Sequence, residues 1–252
     1  MIKAMVAKFF AGWVVAVLFA LMTATPGHAL ETIAFDQANP PFMYQDNGQA
    51  RGLYPAIIAE AFRRMGVGVR LLAFPWLRAR QGADAGVWGL GGLYMNTARL
   101  ETYDYSEPIF EERLLLYVLR GQEFPFSEVG DLTGKRIGVM RGWSYGNGFD
   151  HAVAGGRILA DPVANDQANI GRLLLGRVDA IVITAESLAL LRDRLDPGNR
   201  LVALPRPLAA NLTYLSFPKS KNLVPLLERF NKELQAMRRD GSWDRICRAH
   251  LR

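Results

Sequence analysis

Apolar and polar positions along the chain follow two periods in turn. Short runs dense in apolar residues stand at 31–35, 67–74, 87–93 and 111–119, and they predict strands. Between them, apolar residues recur three and four apart. The clearest set is Ile57, Ile58, Ala61, Phe62 and Met65, which predicts a helix over 54–65 that Gly66 ends. A shorter helix is expected over 76–85. A polar connection with proline and glycine occupies 123–134, and then the pattern restarts. Strands are expected at 136–140, 157–160, 179–183, 201–204 and 212–217, and helices at 145–153, 165–175, 185–195, 223–237 and 242–251. The pair Asp161-Pro162 reads as a turn before the 165–175 helix, and Asp240-Gly241 as a hinge between the last two. Such alternation predicts an α/β fold with mostly parallel strands, in two units of similar size.

The first residues change the picture by adding a compartment. Lys3 and Lys8 precede an apolar run at 9–22, which Pro26, Gly27 and small residues then break. That is the order of a secretory signal peptide over 1–29, cleaved after Ala29, and it predicts a periplasmic protein. The apolar run is short for a bilayer span. Removing the leader takes two lysines and no acid, so the formal charge falls from +6 to +4. The basic residues are scattered, which argues against a nucleic-acid partner. Cys247 is the single cysteine and has no partner for an internal disulfide.

Two segments carry candidate chemistry. Arg99 follows the 87–93 run and precedes Tyr105-Ser106-Glu107-Pro108. Its guanidinium is a fork of donors suited to a carboxylate, and the structural alternative is a bridge to Glu101, Asp104 or Glu107. Gly142-Trp143-Ser144-Tyr145-Gly146 matches G-x-S-x-G between an expected strand and helix, with Asp179 and His250 following in triad order. A secreted serine hydrolase using Ser144 is therefore an alternative. Against it, no HGGG-type oxyanion segment precedes Ser144, and His151 and His250 both lie in helical patterns. No ligand-spaced cluster for a metal, no P-loop and no dinucleotide fingerprint is present, so no metal and no cofactor is expected.

Several fragments fall in one order: Asp36-x5-Phe42, Gly52, Pro75-Trp76, Gly92-Leu-Tyr94, Arg99 with Tyr105-Ser106-Glu-Pro108, Asp131-Leu-Thr-Gly-Lys-Arg-Ile-Gly138, Val178-Asp-Ala180, Phe217-Pro-Lys219 and Gly241-Ser-Trp243. Together they resemble the periplasmic solute-binding proteins of polar-amino-acid ABC transporters, over nearly all of the chain after the leader. The resemblance implies a two-lobed, type II periplasmic-binding-protein fold. One lobe is expected over 30–118 plus 215–252 and the other over 119–214, with two strand crossovers as hinge. It also implies a monomer without catalytic residues, which closes on a carboxylate-bearing solute and serves an inner-membrane ABC permease. A sensor role for the same module is the alternative, and some proteins of this fold are dehydratases of cyclic acids, for which Glu186 is the candidate acid/base.

The resemblance also assigns roles. Arg99 matches the carboxylate-binding arginine, and Ser144 the turn and helix N-terminus that meet the same carboxylate from the second lobe. Phe42, Trp76, Tyr94 and Trp143 match aromatic walls, whose structural alternative is core packing. Gly92 fits a close approach of backbone to ligand, and Asp36 faces the cleft or caps the Pro40-Pro41 turn. The chain departs from the family at Thr184, where amino-acid binders carry an aspartate for the ligand's ammonium. Either Glu186 or Asp36 replaces it, or the ligand is not a standard α-amino acid. Trp88 and Met140 also stand where members place aspartate and lysine.

Overall fold

The computed structural model describes residues 30–251, so the leader expected over 1–29 lies outside the described residues. In chain order the elements are β1 (Glu31–Asp36), β2 (Ala38–Asn39), β3 (Met43–Asp46), β4 (Gln49–Arg51), α1 (Leu53–Met65), β5 (Val69–Phe74), α2 (Trp76–Asp84), β6 (Gly89–Tyr94), α3 (Thr97–Thr102), β7 (Tyr103–Tyr105) and β8 (Phe110–Leu119). They continue with β9 (Arg136–Met140), α4 (Asn147–Ala154), β10 (Leu159–Val163), α5 (Asp166–Leu174), β11 (Ala180–Ile183), α6 (Ala185–Leu195), β12 (Leu201–Pro218), α7 (Val224–Arg239) and α8 (Ser242–His250). Among the described residues, no helix is long and apolar enough to cross a membrane.

The expected helices form where apolar spacing demands them. In α1, Ile57, Ile58, Ala61 and Phe62 are all buried, and Gly66 takes the left-handed conformation that closes the helix onto the carbonyls of Phe62 and Arg63. Three elements carried too little pattern to be read. They are the small sheet β2-β3-β4, the short helix α3 that holds Arg99, and β7.

The main sheet runs β10-β9-β11-β8-β12-β6-β1-β5, with β7 added on β12. Its two ends are parallel, β1 with β5 and β6, and β9 with β10 and β11. The middle corrects the expectation of mostly parallel strands. There β8 and β12 pair antiparallel with each other and with β11 and β6. These two strands cross between the halves in opposite directions, which a parallel pair cannot do.

Proline misled the reading twice. Leu201–Pro218 is one strand of 18 residues, roughly 60 Å at about 3.3 Å per residue. The expected break between 204 and 212 is instead a pair of register shifts around Pro207. Asp161 and Pro162 lie inside β10 rather than in a turn. That strand is at the sheet edge, where a missing N–H leaves no ladder bond unmade.

The core is divided. Ile33, Phe35, Phe62, Phe217 and Phe230 belong to one large apolar cluster, and Leu116, Ile137, Phe149 and Val182 to another. Smaller clusters accompany each. Cys247 packs in the first, so it is a buried small residue. Trp143 packs against three of the four clusters, which places its indole where the halves meet.

Candidate functional site

Arg99 lies in α3, capped by the Asn96 side chain, which accepts from the Arg99 N–H at 2.9 Å. Arg99 is buried there, 9% exposed as a residue. Its Nη1 donates to the Tyr94 carbonyl at 2.9 Å. None of the expected bridges forms, since no ion pair joins Arg99 to Glu101, Asp104 or Glu107 among the described residues. Burial is the main influence on its basicity and lowers it. A buried cation with donors to spare is costly unless something else meets it.

Arg99 lines a small cavity with Met43, Trp76, Gly92, Tyr94, Trp143 and Ser144. Six of these seven match the sequence expectation in place. The free space there is about 10 Å³, roughly one water. The Trp143 indole closes it on one side, edge-on to Tyr94 with ring centroids 5.8 Å apart and to Trp76 at 6.4 Å, while a larger cavity of about 240 Å³ lies between Asp36, Trp76 and Leu77 and the facing Met140, Arg141 and Val163. Its Nε1–H donates to Asp36 Oδ2 at 3.0 Å. Asp36 therefore faces the cleft, while its Oδ1 accepts from the Ala38 N–H rather than from the Pro40-Pro41 turn. Burial pushes the Asp36 carboxyl up to about 6, against the Trp143, Ala38 and Gln37 hydrogen bonds.

Further bonds tie the halves across the cleft. Trp76 Nε1 donates to the Gly142 carbonyl at 3.0 Å, Asn96 Nδ2 to Ser144 Oγ at 3.1 Å, Asn147 Nδ2 to Thr97 Oγ1 at 3.0 Å, and Ser187 Oγ to the Pro40 carbonyl at 2.8 Å. Gly142 has φ +78°, and a Cβ there would meet Leu77 at 2.3 Å, so the turn tolerates only glycine at this approach.

Three expectations are corrected. Ser144 does not open a helix, because α4 begins at Asn147 after Gly146. Its hydroxyl donates to Asp150, whose other oxygen accepts from the Tyr145 N–H at 2.9 Å. The helix start is thus met by the chain's own Asp150, and the Ser144 hydroxyl retains only acceptor capacity. No imidazole is among its partners, and Asp179 instead accepts from the Arg136 N–H at 2.6 Å, so the hydrolase triad is not assembled. Phe42 is not a cleft wall. It is fully buried in the first core, stacked on Tyr54 at 5.7 Å. Gly92, at φ +81°, lines the cavity, but what crowds its missing Cβ is Tyr54 and Met43.

A second cavity, also about 10 Å³, lies on the other side of Trp143. It is lined by Asn39, Glu112, Asp166, Thr184 and Ser187 among others. Thr184 caps α6 by accepting from the Ser187 N–H at 3.1 Å. Glu186, which with Asp36 was one of two expected replacements for the missing aspartate, is not among its lining residues. Glu112 and Asp166 do, and the sequence reading missed both. Glu112 is 1% exposed. It accepts from the phenols of Tyr54 and Tyr94, the latter at 2.6 Å. Burial pushes its carboxyl up to about 7, and the two tyrosines only partly oppose this. Burial, with Asp36 and Glu112 nearby, pushes Asp166 up to about 7. Both acids carried a usable signal. Glu112 shares its strand face with Leu114, Leu116 and Val118, and Asp166 shares its helix face with Asn169, Ile170 and Leu173. A carboxylate on a buried face is the informative exception.

Residues 32–252 match the bacterial extracellular solute-binding proteins, family 3. The chain belongs to this family. Among curated relatives of this solute-binding protein is the L-cystine-binding protein TcyJ of Escherichia coli K12, 24% identical over 213 residues, covering 83% of this chain and 78% of the relative. Among solved structures, the arginine-, lysine-, histidine-binding protein ArtJ from Geobacillus stearothermophilus superposes with TM-score 0.71 at 20% identity, covering 88% of this chain and 95% of that one. A histidine kinase sensor domain similar to periplasmic binding proteins superposes with TM-score 0.75 at 20% identity, covering 89% and 96%. The two-lobed fold of this solute-binding protein follows from these likenesses. Arg99, Trp143 and Glu112 thus lie in its cleft.

Proposed function

We propose that this solute-binding protein takes up a small carboxylate-bearing solute, an amino acid or a relative of one, in the periplasm and delivers it to an inner-membrane ABC permease. One lobe is 30–118 with 215–252, the other 119–214, and β8 and β12 are the hinge. Residues 1–29 are the cleaved leader, and the protein acts as a monomer without turnover. Arg99 carries this reading. It is a buried guanidinium, bonded to one carbonyl and to no acid among the described residues, at a cavity between the halves. A ligand carboxylate supplies the bidentate partner that the fold withholds. Trp76, Tyr94 and Trp143 form the walls around it. The names of the cystine- and arginine-binding relatives support an amino-acid solute. The crossing hydrogen bonds break on opening, each at about 1 kcal/mol net, so solute contacts must outweigh a handful of them for closure to favour the bound form.

The test is a thermal-shift screen of amino acids, followed by calorimetric titration of each hit on wild type and Arg99→Met. Removing one partner of a buried charged pair costs about 3 kcal/mol or more, so affinity falls roughly a hundredfold or further. Unchanged affinity in a folded Arg99→Met protein overturns the reading. The likeness to a kinase sensor domain favours a second reading, in which the closed form reports to a receptor. Restoration of solute uptake in vesicles carrying the cognate permease separates the two.

A further inference from the structure

The far end of the cleft extends the proposed function, and what it implies rests on Arg99 as the carboxylate anchor. Glu112 comes from β8 and Asp166 from the first turn of α5, so two acids face one cavity from different elements. Tyr54 and Tyr94 use one lone pair on each Glu112 oxygen, leaving acceptor capacity on both. Asp166 is 6% exposed. No hydrogen bond and no cation is among the influences on it, only burial and the neighbouring Asp36 and Glu112. Asn39 is 3% exposed. Its Nδ2 has no hydrogen-bond partner among the described residues, and it lines the same cavity. Unused acceptor capacity on two acids therefore converges where, among the described residues, no cation is bonded to either.

Tyr94 sets the spacing between this cavity and Arg99. Its carbonyl accepts from Arg99 at 2.9 Å and its phenol donates to Glu112 at 2.6 Å. The α-ammonium of an amino acid is on the carbon next to the carboxylate and stays at the Arg99 end. A group that meets Glu112 lies at the other end of a chain about as long as a tyrosine side chain. We infer that Glu112 and Asp166, beside Asn39, form a second subsite, which takes an ammonium or guanidinium at the far end of a solute whose carboxylate is held by Arg99. Trp143 lines both cavities, so such a solute runs along Tyr94 and turns the indole aside.

Matched probes test this by calorimetry: lysine against norleucine, 6-aminohexanoate against hexanoate, and 2,3-diaminopropionate as a cation too close to its carboxylate. Lysine and 6-aminohexanoate bind at least tenfold tighter than their uncharged counterparts and than 2,3-diaminopropionate. The isosteric double variant Glu112→Gln/Asp166→Asn, which keeps the shape of the cavity, removes that preference. Norleucine binding as tightly as lysine overturns the inference. So does a preference that survives the double variant, or no binding of either long cationic probe at millimolar concentration. The two readings fail separately. If lysine binding depends on Glu112 and Asp166 but is unchanged in Arg99→Met, the carboxylate anchor is wrong and the cation subsite stands. If norleucine and hexanoate bind through Arg99 and ignore the acids, the anchor stands alone.

Discussion

The two ends of the cleft differ in how the fold treats a buried charge. At one end Arg99 keeps its charge with a single carbonyl for company. At the other, Glu112 is held by two tyrosines and Asp166 by no side-chain hydrogen bond among the described residues, and both carboxyls are pushed up to about 7. A guanidinium cannot shed its proton near neutrality, so burial leaves it charged and in want of an anion. A carboxyl can take up a proton, so burial converts it into a group whose charge depends on pH and on what arrives beside it. The Arg99 end therefore carries a permanent positive charge, while the charge of the acidic end is conditional.

The largest effect expected tests whether a residue belongs to the comparison at all. Phe42→Ala, in the core rather than at either end, loses about 3–5 kcal/mol of stability by chemical denaturation. A folded Phe42→Ala protein with near-native stability and weakened solute affinity would return Phe42 to the cleft wall.

Next comes the pH dependence of the acidic end. The folded pKa of Glu112 is about 7, raised from 4.5 by burial. Its favourable contribution is thus complete below the unfolded value and is lost as pH rises through about 7. A tenfold change in proton affinity is worth about 1.4 kcal/mol, so ionising Glu112 costs about 3 kcal/mol. Without added solute, Glu112→Gln melts higher than wild type at pH 8.5 and the gap narrows toward pH 5. The groups around it are Tyr54, Tyr94 and Glu186, with Asp166 and Asp36 titrating in the same window. An equal gap at both pH values would show that Glu112 is not titrating there. The slope of Arg99→Met stays that of wild type.

Smaller changes sharpen the boundary between the ends. Trp143→Phe removes the indole N–H from Asp36 and costs about 1–2 kcal/mol. Its effect grows with pH as Asp36 ionises through about 6. Thr184→Ala removes a helix cap and costs about 1 kcal/mol.

Much of the fold was legible because it is local. The apolar spacing of α1, the glycine that ends it and the restart of the pattern after residue 134 each act within a few residues. Prolines misled where tertiary position decided their meaning. Pro162 is harmless because β10 is an edge strand, and Pro207 is absorbed by a register shift in a strand long enough to tolerate it. At the site, Arg99, Trp76, Tyr94 and Trp143 were legible from their order along the chain. Phe42 was assigned to the wrong surface because a strand-end aromatic has the same sequence signature in a wall as in a core.

The sequence by itself determined most of the longer elements and the family, since periodicity and motif order are properties of the chain. Only the tertiary structure decided that Trp143 lines two cavities, that its indole bonds to Asp36, and that Glu112 and Asp166 line the same cavity. Those outcomes depend on residues far apart in sequence that β8 and β12 bring together. Their energies come from burial and charge, which no stretch of sequence carries alone.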